Sequence, residues 1–284
     1  MDVYTMIAER IITKLEQGII PWHKPWSGSN GAISHTTGKP YSLLNQILLE
    51  GRRGEYLTFR QAQKEGGHVR KGEKSSIIVF FKFLENVDED TGEIKSVPYL
   101  KYIPVFHTDQ CEGIAPRFIA SQPINTGHAS ADDKAEQIIQ DYVHRSGVKL
   151  IHRQSNEAFY RPSTDEVVLP LREQFDDTAE YYSTAFHELT HSTGHPKRLN
   201  RITEKAAFGS ARYSKEELCA ELGASYLVNC VGLETPDSFK NNAAYIQHWL
   251  SVLKEDKRFL VSAAGKADKA VHLILGEEVD NDEL

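Results

Sequence analysis

Apolar positions along the chain follow two periods, and together they predict an α+β fold in two groups of elements. Tyr4, Ile7, Ala8, Ile11, Ile12 and Leu15 recur at helical spacing over residues 3–17, and Gly18 ends the run. A second helix is predicted from Ser42 through Leu43, Leu44, Ile47 and Leu48 to about Glu50, and a short third over Thr58–Glu65, capped by Thr58. Ser76–Phe83 and Tyr99–His107 are rich in β-branched and aromatic residues and predict strands, joined across the turn Asp88–Glu93. Helical spacing returns at Asp132–Ser146, and strands are predicted at Val148–His152, Phe159–Arg161 and Val167–Leu169, around the turn Pro162–Asp165. Between the two groups, Gln122–Ser130 has linker composition. The predicted division is therefore a small sheet-plus-helices domain over 1–120, a linker at 121–131 and a second domain over 132–284.

A chain of 284 residues can give both domains a core of their own. No apolar run approaches the ~20 residues of a membrane span, and the start has neither basic nor apolar signal character. Cys111, Cys219 and Cys230 are too few and too scattered for a disulfide framework or a thiolate metal site. A cytoplasmic protein without membrane partners is the expectation. Charge is uneven. Residues 1–120 hold 15 of the 33 basic and 14 of the 40 acidic side chains, so the net charge of -7 resides in the remainder, which ends in the acidic run Glu277–Glu283.

The most specific chemistry is His187-Glu188-Leu189-Thr190-His191. Residues four apart share a helix face, so two imidazoles can grip one metal ion, with Glu188 beside them as general base toward a water at that ion. Asp176 and Asp177 supply a helix start. Tyr181, Tyr182, Ala185, Phe186 and Leu189 give the apolar face, and Gly194 with Pro196 stands where the helix should stop. A third protein ligand is needed. A further His at the end of H-E-x-x-H-x-x-G-x-x-H is excluded, because that position holds Lys197.

Ser214–Ala224 predicts another helix, with Ser214 as N-cap and Glu217 completing a capping box. Glu217-Leu218-Cys219-Ala220-Glu221 resembles the E-x-x-A-(D/E) element of gluzincin-type peptidases. That resemblance implies that Glu217 is the third ligand and that Glu221 orients a ligand histidine. The alternative is that Glu217 only caps its helix. Glu216 points elsewhere and is expected in solvent. Tyr213 is a candidate donor to an oxyanion, with ordinary packing as its alternative.

In the first domain, Gly51–Lys82 carries eight basic residues (Arg52, Arg53, Arg60, Lys64, Arg70, Lys71, Lys74, Lys82) against three acidic ones. Lys39 lies in a second basic loop. Trp22, Trp26, Tyr41, Tyr56 and Phe59 interleave. Cationic surface with aromatic faces suits single-stranded nucleic acid, whose phosphates are attracted and whose bases stack. A solvated basic face with Trp22 and Trp26 in the core fits the spacing equally well.

Trp22–Trp26, Thr37–Tyr41 with Asn45, Leu57–Ala62, Val69–Lys74 and Val105–Gly113 resemble the N-terminal domain of ArdC-type antirestriction proteins. Phe208–Ser210, Tyr213–Ala224 and the H-E-x-x-H resemble the peptidase domain of the same family. The resemblance covers nearly the whole chain; Tyr56 departs from it, standing where relatives are expected to have Trp. It implies a domain that binds single-stranded DNA, through residues among Trp22, Trp26, Lys39, Tyr41, Arg60, Arg70, Lys71 and Lys74. It also implies a zincin-like, gluzincin-type metallopeptidase domain holding one Zn²⁺ through His187, His191 and Glu217. The implied role is carriage on a plasmid or other mobile element and protection of incoming DNA from host restriction, with a restriction component as a possible protein substrate. The alternative is a DNA-binding shield whose metal is structural or vestigial. Zincin-like proteases hold substrate along an edge strand, for which Glu166–Leu169 is the candidate; an interior strand is the plainer reading.

Overall fold

The computed structural model describes residues 2–22, 31–87, 94–118, 130–202, 211–233 and 243–277. Its contacts divide the chain into two compact units, one from residues 1–3, 31–124 and 280–284 and the other from residues 4–30 and 125–279. This differs from the division drawn from sequence, because the first helix, α1 (Val3–Glu16), lies almost wholly in the second unit. Its stripe Ile7, Ala8, Ile11, Ile12 and Leu15 is buried there. Glu16 pairs with Lys254 at 2.7 Å, and the Arg258 guanidinium lies 5.2 Å from the Tyr4 ring. Amphipathic spacing says that a helix is buried, not against what. The predicted linker falls mostly on residues 119–129, and the acidic turn on 88–93, both outside the described residues.

The first unit is built on a mixed sheet. β1 (Ala32–Ser34) runs parallel to β2 (Gly54–Leu57). β4 (Ser76–Val87) and β5 (Ile94–His107) form a long antiparallel ribbon, and the sheet order is β1-β2-β5-β4. The ribbon runs past the predicted ends at Phe83 and Tyr99, because backbone pairing continues through polar residues that alternation and apolarity do not mark. A small pair, β3 (His68–Val69) with β6 (Cys111–Glu112), lies beside the helix α3 (Phe59–Lys64). Thr58 caps α3 as predicted, in a full capping box with Gln61.

Helix α2 (Leu43–Leu48) docks on this sheet through two buried amides. The Asn45 side chain donates to the Val79 carbonyl at 2.9 Å and accepts from its N–H at 2.7 Å; Gln46 does the same for Ala32. Each amide thus closes one backbone donor and one acceptor that burial would otherwise leave unmet. Nearby lies an ionic core. His35, fully buried, contacts Glu55 through Nδ1 at 2.6 Å and Glu65 through Nε2 at 3.0 Å. The Glu55 carboxylate also accepts the backbone N–H groups of Arg117 and Phe118, fastening that segment to β2.

The second unit surrounds a three-stranded sheet. β7 (Lys149–Arg153) is parallel to β9 (Glu166–Pro170), and β8 (Phe159–Arg161) is antiparallel to it, so β9 is the middle strand. The plainer reading of Glu166–Leu169 as an interior strand therefore holds, and among the described residues the outer strands are β7 and β8. Five helices complete the described part of the unit besides α1: α4 (Ala131–Ser146), α5 (Thr178–Ser192), α6 (Ala211–Val231), α7 (Ala243–Glu255) and α8 (Phe259–Leu275). Tyr142, Val167, Leu169, Tyr182, Phe186, Leu189, Leu227 and Ile274 meet in its core.

The turn between β8 and β9 is tied to the end of α5. Asp165, at φ 54 in the left-handed region, accepts the Tyr160 hydroxyl at 2.9 Å and two N–H groups of Arg198. Arg198 in turn donates to the Ser192 carbonyl at the helix end at 2.8 Å. Burial alone would raise the Asp165 pKa, but the Arg198 and Tyr160 hydrogen bonds and the Arg198 charge hold it below the ordinary value. A carboxylate depressed in this way contributes stability above its unfolded pKa of ~3.9 and loses it as pH falls through the lower folded value. Asp165→Asn keeps the left-handed preference and removes the charge, so it isolates that contribution. Urea melts at pH 7 should show the variant less stable by about 3 kcal/mol. The gap should close as pH is lowered below ~4.

Candidate metal centre

Helix α5 forms where the sequence predicts it. Asp177 caps it, accepting the Glu180 N–H at 2.7 Å, and the buried face carries Tyr181, Tyr182, Ala185, Phe186 and Leu189. His187 and His191 consequently stand one turn apart, ring centroids 4.7 Å from each other. Helix α6 begins at Ala211, before the expected start, so Ser214 is a buried helical residue and not the N-cap. Glu217 is then free of a capping task, and its carboxylate faces the histidines.

α5 and α6 approach closely at Gly223. A Cβ there would come within 2.7 Å of Thr190 Cγ2 and 2.8 Å of its Oγ1, both in side-chain atoms of a fully buried residue. At that spacing, the Nε2 atoms of His187 and His191 are 3.1 Å apart. Glu217 Oε2 lies 3.6 Å from His187 Nε2, and Oε1 lies 3.6 Å from His191 Nε2. Tetrahedral donors ~2.0–2.1 Å from a zinc-sized ion are separated by roughly 3.3 Å, so the spacing fits one ion. Among the described residues, this is the one group of three or more His, Cys, Asp or Glu side chains gathered closely enough to hold a metal. The side chains are 24%, 12% and 26% exposed for His187, His191 and Glu217, which leaves a side open to solvent.

The electrostatics follow the clustering. Burial pulls the His187 pKa down, but the Glu217 hydrogen bond and the charges of Glu188, Glu221 and Glu217 outweigh it and raise it. Burial pushes Glu217 up, and the His187 hydrogen bond with both histidine charges and Tyr213 holds it below the ordinary carboxylate value. Tyr213 reaches about 12, through burial and then the Glu217 and Glu188 carboxylates, so its hydroxyl keeps its proton at neutral pH. Glu188 is buried on α5 beside His187.

Two further carboxylates stand near the histidines. Glu221, expected to orient a ligand histidine, is half-buried, carries charge close enough to raise the His187 pKa, and receives the Tyr245 hydroxyl; its own pKa is pushed up to about 8, chiefly by desolvation. Glu216, expected in solvent, is half-buried with Oε1 3.4 Å from His191 Nδ1, and it accepts two N–H groups of Arg201 at 2.8 and 3.2 Å. Burial raises its pKa and the His191 and Arg201 hydrogen bonds more than reverse this. Arg201 lies too far along the chain from the motif for spacing to have suggested it.

Comparison with known proteins agrees with this geometry. Residues 134–266 match the zincin-like metallopeptidase family, and residues 1–106 match the N-terminal domain of anti-restriction factor ArdC. The metal-free crystal structure of the antirestriction protein ArdC from plasmid R388 superposes with a TM-score of 0.74 at 35% identity, over 96% of this chain and 97% of that one. The chain belongs to the ArdC antirestriction family. The Mn(II)-bound structure of the same relative gives a TM-score of 0.75 at 33% identity, over 97% of this chain and 98% of that one. A DNA primase TraC of Escherichia coli is 36% identical over 97% of this chain, but this chain spans only 27% of that protein; for a second TraC it spans 20%. An uncharacterized protein of Sinorhizobium fredii is 30% identical over 98% of this chain and 93% of its own length.

The residues expected to meet DNA are divided by the structure. Trp22 is 1% exposed in the second unit, edge-on to Trp249, with its indole N–H donating to Tyr245 at 3.2 Å. A ring so enclosed offers no face to a base, and the core reading of Trp22 holds; Trp26 lies outside the described residues. Tyr41 is half-buried against Tyr56, and Tyr56 itself is buried, its hydroxyl donating to the Arg52 carbonyl. Tyr56, at the position where the resemblance led to an expectation of Trp, thus serves packing here.

Lys39, Arg60, Arg70, Lys71 and Lys74 are all exposed. The 70–74 turn is braced by Gln110, whose amide donates to Glu73 and to the Lys74 carbonyl at 2.9 Å each. In the same unit Phe59, Tyr99 and Tyr102 are 47%, 41% and 47% exposed. Phe59 is among the aromatic residues the sequence sets beside the cations; Tyr99 and Tyr102 are not, since alternation along a strand does not say which face is covered.

The metal centre makes a direct prediction. Purified protein should carry about one divalent ion per chain by elemental analysis, and Glu217→Ala should lose it. At an ion concentration 100 times Kd, the ion should stabilise the wild type by ~2.7 kcal/mol and leave the variant unchanged.

Proposed function

We propose that this ArdC-family chain binds single-stranded DNA through its first unit and hydrolyses a peptide bond at a zinc site in its second, protecting DNA that enters a cell from restriction. The convergence of His187, His191 and Glu217 beside Glu188 is the observation that carries the reading. Two imidazoles and one carboxylate with an open side are the donor set of catalytic zinc sites, and imidazole favours zinc over manganese. A divalent ion held there supplies Lewis acidity, polarising a carbonyl and acidifying water. Glu188 takes the proton of the attacking water on its carboxylate and delivers it to the leaving amine. Tyr213, still protonated because its pKa stands at about 12, donates to the oxygen on which negative charge develops. Substrate can align on the free edge of β8, since β9 is paired on both sides.

Glu188→Gln tests the chemistry. The variant should fold, retain metal and lose protection of unmethylated DNA in a transfer assay, with proteolysis of the protein target reduced by at least 100-fold. Full protection by the variant would leave a DNA-binding shield with a structural metal in place of the enzyme.

The DNA reading rests on the exposed cations Lys39, Arg60, Arg70, Lys71 and Lys74 with the exposed rings Phe59, Tyr99 and Tyr102. Affinity for single strands should fall with salt at a log–log slope of about 0.7 per phosphate neutralised. Charge reversal at Arg70 and Lys71 should weaken binding and flatten that slope. A titration by fluorescence anisotropy checks both, and salt-independent binding would contradict the assignment.

A further inference from the structure

Glu216 and Glu217 are consecutive on α6, so their side chains leave the helix about 100° apart. The His191 ring lies between them, Nε2 toward Glu217 and Nδ1 toward Glu216 at 3.4 Å. An imidazole that gives the Nε2 lone pair to a metal must carry its proton on Nδ1, and a carboxylate facing Nδ1 fixes that tautomer and the ring plane. Glu216 is itself immobilised. Arg201 donates to both of its oxygens, and the same guanidinium donates to Thr193 Oγ1 at 2.7 Å and to the Thr190 carbonyl at 2.9 Å, in the final turn of α5. The brace therefore begins on the histidine-bearing helix, crosses to α6 through Arg201, and returns to His191 through Glu216.

We propose that Glu216, held by Arg201, is the positioning residue of His191, fixing its Nδ1–H tautomer and its aim at the metal. At His191 the role falls to the residue before the ligand carboxylate; Glu221 receives the Tyr245 hydroxyl and lies on the His187 side of the cluster. It rests on the metal-binding reading of His187, His191 and Glu217. Glu216 touches neither substrate nor ion and acts only through His191.

The test measures zinc affinity of the full chain by competition with a chromogenic chelator. Glu216→Gln removes the charge, and Glu216→Asp keeps the charge beside Arg201 but withdraws it from His191 by one methylene. Both should bind zinc 10–100-fold more weakly than wild type. A purely structural role would lower the unfolding temperature of the metal-free protein and leave zinc affinity within twofold, and that result overturns the proposal. Should neither variant fold, histidine-ring ¹⁵N spectra of the zinc-loaded wild type decide. A protonated Nδ1 with Nε2 coordinated at His191 supports the assignment, and a coordinated Nδ1 overturns it. Glu217→Ala separates the two levels: if wild type and this variant both fail to bind zinc, the metal reading falls and this inference with it.

Discussion

The close approach of α5 and α6 is the constraint on which the site depends. Neither helix carries a complete ligand set, and the distance between them decides whether Glu217 reaches the two imidazoles. That distance is set where Gly223 meets Thr190, at a contact that no Cβ could enter without displacing a buried side chain. Ala220 and Ala224, within one turn of Gly223 on α6, are small and buried as well. Small residues here do for geometry what larger ones would do for hydrophobic burial, and the core elsewhere supplies the latter through Tyr182, Phe186 and Leu227.

Much of this was legible in the sequence, and the reasons are specific. The α5 helix announces itself through its cap, its apolar face and its paired histidines, all local features with a fixed period. Glu217 was reachable because its own helix has a recognisable pattern. Glu216 was not, because a second carboxylate beside a ligand looks the same in sequence whether it faces water or an imidazole; only the position of Arg201, brought back from the segment after α5, distinguishes the cases. Ser214 misled in the same way, since a serine followed by an acid three residues on is a helix start only if the backbone before it is not already helical.

Tertiary placement was the other gap. α1 was correctly expected as an amphipathic helix, yet its partner surface lies in a unit far away in sequence, and Trp22 follows it into that core. Similarly, the strand Glu166–Pro170 reads from sequence as either an edge or an interior strand, and its pairing with β7 on one side and β8 on the other makes it central. In the first unit, the motif residues proved to be a mixture: Asn45 and Gln110 serve backbone groups, while the cations of the same segments stand in solvent. Resemblance to a family marks both kinds of residue alike, and burial separates them.

The Gly223–Thr190 contact also has a practical corollary. Because the three donors span two helices, any substitution that pries those helices apart by a fraction of an ångström spreads the donors before it unfolds the core. Ion retention in a purified sample thus works as a caliper for interhelical spacing, readable on any variant of α5 or α6 without an assay of function.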